Sequence, residues 1–146
     1  MRISAKGEYA IKAMVDLALH DGQDLQPIQD VAARQGIPQR YLEQVLLQLK
    51  RSGFLYARRG SAGGYRLSRP PDQVTVGELL RAVDGPSAGP DAPRRGGRGD
   101  DAAAGLHELW QEIEEAVASV VDRTTLDDLR RRALDRRRAA RPMYHI

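Results

Sequence analysis

Gln39, Arg40 and Gln44 fall on one side of the segment QRYLEQVLLQLKR. Amide and guanidinium groups are the side chains that bond bidentately to adenine and guanine in the major groove of DNA. Glu43 and Gln48 share that polar side. Opposite them, Tyr41, Leu42, Val45, Leu46 and Leu49 recur at three- and four-residue steps and mark a buried helical face. Tyr41 could complete the core or carry its hydroxyl to a phosphate. A second group, Arg58, Arg59, Gly60 and Ser61, opens the run RRGSAGG. Small residues there let a backbone approach a phosphate chain, and the arginines neutralise it. Between Ile37 and Arg69 seven basic residues stand against Glu43 alone, a local charge of +6 in a chain whose total is +3. Such an excess beside a reading helix is the electrostatic footprint of nucleic-acid binding. A solvated hairpin kept soluble by its arginines would not require it.

These groups need a scaffold, and the neighbouring residues supply one. Ile28, Val31 and Ala32 share a face of a helix predicted over Ile28–Gln35, and Gly36 follows where a left-handed residue ends a helix. Ile37 plugs the corner before the second helix. Extended runs at Phe54–Arg58 and Tyr65–Ser68 flank a glycine-rich hairpin tip, bordered also by Arg66 and Arg69. Helix, tight turn, helix and hairpin make a winged helix-turn-helix. Pro38 suits a first helical turn but offers neither a capping oxygen nor an amide proton.

Gly7–His20 reads as a first helix that is apolar around most of its circumference, so it must be covered both by the helix-turn-helix unit and by a long helix further on. Val74–Val83 forms a short helix with Thr75 and Glu78 at capping-box spacing. Residues 1–86 thus form the DNA-binding domain, and 87–105, rich in Gly, Pro, Ala, Arg and Asp, form a flexible linker. Leu106, Trp110, Ile113, Val117 and Val120 are spaced four, three, four and three, a coiled-coil seam widened by Leu109, Ala116 and Val121. A stripe so apolar is covered most economically by a twin helix from a second subunit. Residues 106–130 therefore hold a dimerisation helix and a short C-terminal helix capped by Thr124 or Thr125, and 131–146 are a basic tail that frays. The fold class is mainly α with a small β wing.

The blocks MRISAKGEYAIKAMVDLALH, YLEQVLLQLKRSGFL, RRGSAGGYRLSRPP and VTVGELLRAVDGP resemble the Rrf2 family of bacterial transcription regulators. The resemblance resumes at LHELWQEIEEAVASVVDRTTLDDL. It implies a homodimeric winged-helix repressor or activator, often with an iron-sulfur cluster held by three cysteines, whose amino terminus lies near the DNA backbone, so that Lys6 could touch a phosphate. We expect a repressor whose paired reading helices meet a palindromic operator on double-stranded DNA. This chain has no cysteine. Disulfides, thiolate metal sites and the family's cluster are therefore excluded, since such a cluster needs several thiolates. His107 sits where some cluster-bearing relatives place a non-cysteine ligand, but one imidazole cannot hold a cluster. No cofactor is expected. A cluster-free branch of the family controls cysteine and sulfur metabolism through a partner enzyme, which makes that enzyme or an effector metabolite the expected signal.

Catalysis has little to build on. There are three histidines and no cysteine, and GSAGG lacks the Lys and Ser or Thr of a nucleotide-binding loop. No apolar run approaches a membrane span, and Arg2, Lys6 and Glu8 interrupt the start, so the sequence predicts a cytoplasmic protein with no membrane partner. The alternative to an operator-binding regulator is a module that kept the winged-helix fold and works through a partner protein.

Overall fold

The computed structural model describes residues 3–85 and 101–140. Six helices and one antiparallel hairpin follow in order: α1 Ala5–Leu19, α2 Ile28–Gln35, α3 Gln39–Arg51, β1 Leu55–Arg58, β2 Gly64–Leu67, α4 Val76–Asp84, α5 Asp101–Arg123 and α6 Leu126–Ala140. A 3-10 turn at Pro71–Gln73 leads from the hairpin into α4. The architecture is the expected mainly helical one with a small wing.

α1 starts two residues earlier than the apolar pattern suggests, because Ser4 caps it by accepting from the Gly7 amide at 2.9 Å. Ser4 also donates to Asp84 at 2.6 Å, tying the start of α1 to the end of α4. Ala10, Ala13, Met14, Leu17, Val31, Leu42, Val45, Leu46, Leu49 and Leu79 form one continuous core. Gly36 takes φ 62°, the left-handed turn its position predicts, and Ile37 is buried at the corner.

The C-terminal helices depart from expectation at three points. α5 begins at Asp101, so 101–105 are its first turns rather than linker. DAAAG has no apolar periodicity, but alanine is the strongest helix former and an aspartate suits a helix start. Residues 87–100, the rest of that segment, lie outside the described residues, as does Pro86. α6 runs to Ala140, well past 130, with Ala, Leu and Arg favouring helix and Arg131 pairing with Asp127 one turn away at 2.7 Å. Residues 141–146 again lie outside the description. Finally, α1 packs on α2 and α3 as expected, but its remaining cover comes from α4 and α6 and not from the long helix α5, which leans on α4.

Strand-like pairing pins the junction of these helices to the segment that enters α4. The Val76 amide donates to Thr124 at 2.8 Å and the Leu126 amide to Val74 at 2.9 Å, beside a bridge between Thr75 and Thr125. Thr125 caps α6 reciprocally: it accepts from the Asp128 amide at 3.1 Å, and its own amide donates to the Asp128 carboxylate at 2.9 Å. Thr75 accepts from the Glu78 amide at 3.1 Å, but the Glu78 carboxylate is taken by Arg69 instead of returning to the cap.

Candidate nucleic-acid interface

α3 presents Gln39, Arg40, Glu43 and Gln44 to solvent, opposite the fully buried Leu42, Leu46 and Leu49. Pro38 stands at its N-cap without a side-chain hydrogen bond. Two residues of the expected surface are otherwise engaged. Gln48 donates to the Ala82 carbonyl at 2.9 Å and so braces α3 against α4 instead of facing outward. Tyr41 is half-buried, its ring edge-on to Tyr9 with centroids 5.3 Å apart. Lys6 is half-buried in the first turn of α1.

Arg58, Arg59, Gly60 and Ser61 are all exposed at the hairpin tip. Arg58, Gly60 and Ser61 line a groove of about 470 Å³ together with Pro27, Ile28 and Gln29 at the start of α2. An arginine, wing backbone and the positive end of a helix thus converge on one concavity, which suits an anion. The tip also depends on glycine at close quarters. A Cβ on Gly64 would come within 2.5 Å of the Gln26 carbonyl, and one on Gly63 would collide with the Arg58 carbonyl.

That crowding has a cause absent from the local sequence pattern. Gln26 pairs with Tyr65 as a third, one-residue strand, each amide donating to the other's carbonyl at 2.9 Å. The wing is thereby fixed to the segment that enters α2. Burial, and after it the Glu43 carboxylate of α3, hold the Tyr65 hydroxyl above the ordinary phenol value.

The cations divide into two sets. Arg69 pairs with Glu78 and lies over Phe54, with 4.8 Å to the ring centroid, and Arg66 lies 4.5 Å over Tyr56. Among the described residues Arg40, Arg58 and Arg59 join no ion pair. Exposed Lys50 and Arg51 at the end of α3 join none either, so the unpaired positive charge is carried by α3 and the tip.

Behind this surface lies a charge that the sequence pattern did not single out. Asp16 of α1 is 1% exposed. Arg34 of α2 grips it through Nε at 3.0 Å and Nη2 at 2.8 Å, and Gln35 adds a donor at 2.9 Å. The carboxylate raises the Arg34 pKa through that hydrogen bond. Arg34 Nη2 also donates to Gln26 Oε1 at 3.0 Å. One guanidinium therefore links α1, α2 and the residue that holds the wing.

On α5 no residue is buried. Leu106, Leu109 and Val120 are 45%, 48% and 49% exposed, while Trp110, Ile113 and Val117 are half-buried. Ala116, Val117, Val120 and Val121 line a wholly apolar depression. His107 is exposed in the second turn of α5.

The sequence model of the Rrf2 family, described as iron-dependent transcriptional regulators, matches residues 3–132. The chain belongs to the Rrf2 family. This Rrf2 protein is 37% identical over 133 residues to the HTH-type transcriptional regulator IscR of Pectobacterium carotovorum, covering 88% of this chain and 79% of the relative. It is 36% identical over 132 residues to IscR of Vibrio cholerae, covering 88% and 75%. Among solved structures, CymR, the global cysteine regulator of B. subtilis, superposes with a TM-score of 0.75 at 34% identity, covering 89% of this chain and 96% of that one. IscR of T. potens gives 0.75 at 30% identity, covering 91% and 88%. The Rrf2 protein is accordingly a DNA-binding transcription regulator, and no enzyme family is indicated.

The family's iron does not fit these residues. The sequence offers no thiolate, and among the described residues no three histidines or carboxylates gather as a ligand set. Nor is any described helix long and apolar enough to cross a membrane.

Proposed function

We propose that this Rrf2 protein is a homodimeric repressor that binds a palindromic operator on double-stranded DNA and works without an iron-sulfur cluster. The observation that carries the reading is the exposed row Gln39, Arg40 and Gln44 on α3 beside the arginine-bearing wing tip. In this scheme α3 lies in the major groove, and Arg58, Arg59, Gly60 and Ser61 clamp the backbone. Lys6 and the Tyr41 hydroxyl lie at the margin. Residues 3–85 are the DNA-binding unit and α5 is the dimerisation helix, with Leu106, Leu109, Trp110, Ile113, Val117 and Val120 meeting their twins.

Reading and clamping separate by experiment. Arg40→Ala or Gln44→Ala removes a bidentate base contact and should relax sequence preference by about 1 to 3 kcal/mol at one position. Arg59→Ala should weaken all sequences alike and lower the slope of log affinity against log salt by about 1. Competition titrations at several salt concentrations measure both. Identical behaviour of the two variants would contradict the division.

The dimer has its own test. Val120 is half exposed in the single chain, so Val120→Asp costs the fold little but places a charge in the seam. Its sedimentation mass should fall to that of one 16.2 kDa chain. Operator affinity should fall by about 100-fold as bivalent binding is lost. An unchanged mass would remove α5 from the interface.

The signal has to reach the protein by a route other than a cluster. The absence of thiolates, with the likeness to a solved cysteine regulator, supports an effector metabolite or a partner enzyme of sulfur metabolism.

A further inference from the structure

α3 carries one apolar side chain on its polar face. Leu47 is 43% exposed, whereas Leu42, Leu46 and Leu49 of the same helix are 0% exposed. It follows Arg40 by seven residues, Glu43 by four and Gln44 by three, the spacings that stack side chains on one helical face. It therefore continues the row of candidate base contacts by one turn. Lone exposed leucines are common on protein surfaces. This one is distinguished by its place in the row, and by Lys50 and Arg51, exposed in the following turn.

We propose that Leu47 is a specificity-determining residue that meets the C5 methyl group of a thymine in the major groove. That methyl is the apolar group on the base edges displayed there, and apolar side chains recognise it by contact. Docking of a protein partner at Leu47 is disfavoured by its neighbours, since Glu43, Gln44, Lys50 and Arg51 leave no contiguous apolar patch. The assignment rests on the DNA-reading role proposed for α3 and extends it from hydrogen-bonded bases to a methyl contact.

The test removes the methyl alone. A duplex carrying the motif selected by the unaltered protein is synthesised with each thymine replaced in turn by uracil. One position per half-site should bind about fourfold more weakly, the equivalent of about 0.8 kcal/mol for a buried methyl-sized group. Leu47→Ala should bind the thymine duplex more weakly and show no difference between thymine and uracil at that position. Its unfolding midpoint should match that of the parent, because the side chain lies outside the core. If the alanine variant keeps the parent's full profile of uracil sensitivity, Leu47 reads no methyl. If the unaltered protein selects no sequence at all, the DNA-reading role of α3 fails and this assignment falls with it.

Discussion

Replacing Leu126 by alanine is expected to lower the unfolding free energy by about 3 to 5 kcal/mol, the upper part of the range for buried leucines. Leu126 is fully buried within the core shared by α1, α3 and α4, although it belongs to the first turn of α6. Its amide is held by Val74 at 2.9 Å, and the adjoining Thr124 carbonyl accepts from Val76 at 2.8 Å. These backbone bonds fix the position of the side chain, so the surrounding helices have little freedom to collapse onto the cavity. Urea unfolding at a fixed protein concentration reads the effect, because dimerisation would make stability depend on concentration. A loss below about 1 kcal/mol would mean that α6 is a peripheral attachment and not part of the core.

Arg34→Ala should cost about 3 kcal/mol, the low end for breaking a buried ion pair, because Arg34 is itself one third exposed while Asp16 is not. The cost arises from the partner left behind. Asp16 would keep only Gln35 as a side-chain donor, with the His20 ring 3.7 Å away and already directed to the Asp16 carbonyl at 2.8 Å. Since a carbonyl only accepts, the His20 Nδ1 proton is committed there. Removing both Asp16 and Arg34 should therefore cost clearly less than the two single losses combined, which a double-mutant cycle measures. The same variant should loosen the wing, because Arg34 also holds Gln26. Additive single losses would show that the two side chains are not energetically coupled.

Where the sequence was legible, local rules decided the outcome. Gly36 had to end α2, and the three- and four-residue steps of Leu42, Val45, Leu46 and Leu49 had to face inward, so both helices of the reading unit fall where the pattern puts them. Long-range pairing was not legible. Nothing near Gln26 announces that it will bridge Tyr65, nor anything near Val74 that it will accept from Leu126, because such partners are chosen by the assembled fold. Asp16 sits in the apolar run MVDLAL and looks like a solvated interruption until Arg34, eighteen residues later, turns to meet it. The charge count from Ile37 to Arg69 overstated the free surface, since Glu78 lies beyond that window and claims Arg69. Leu47 was absent from both the core face and the candidate base contacts, although its spacing from Arg40, Glu43 and Gln44 sets it on the polar face, where the fold leaves it 43% exposed.

The most direct test of operator binding is selection from genomic fragments with the purified protein at about physiological salt, where non-specific electrostatic binding is reduced. Recovery of a palindromic motif with half-sites about 34 Å apart, one turn of DNA, is the predicted result. Recovery of no motif across the salt range would contradict operator binding and favour a winged-helix module that acts through a partner protein.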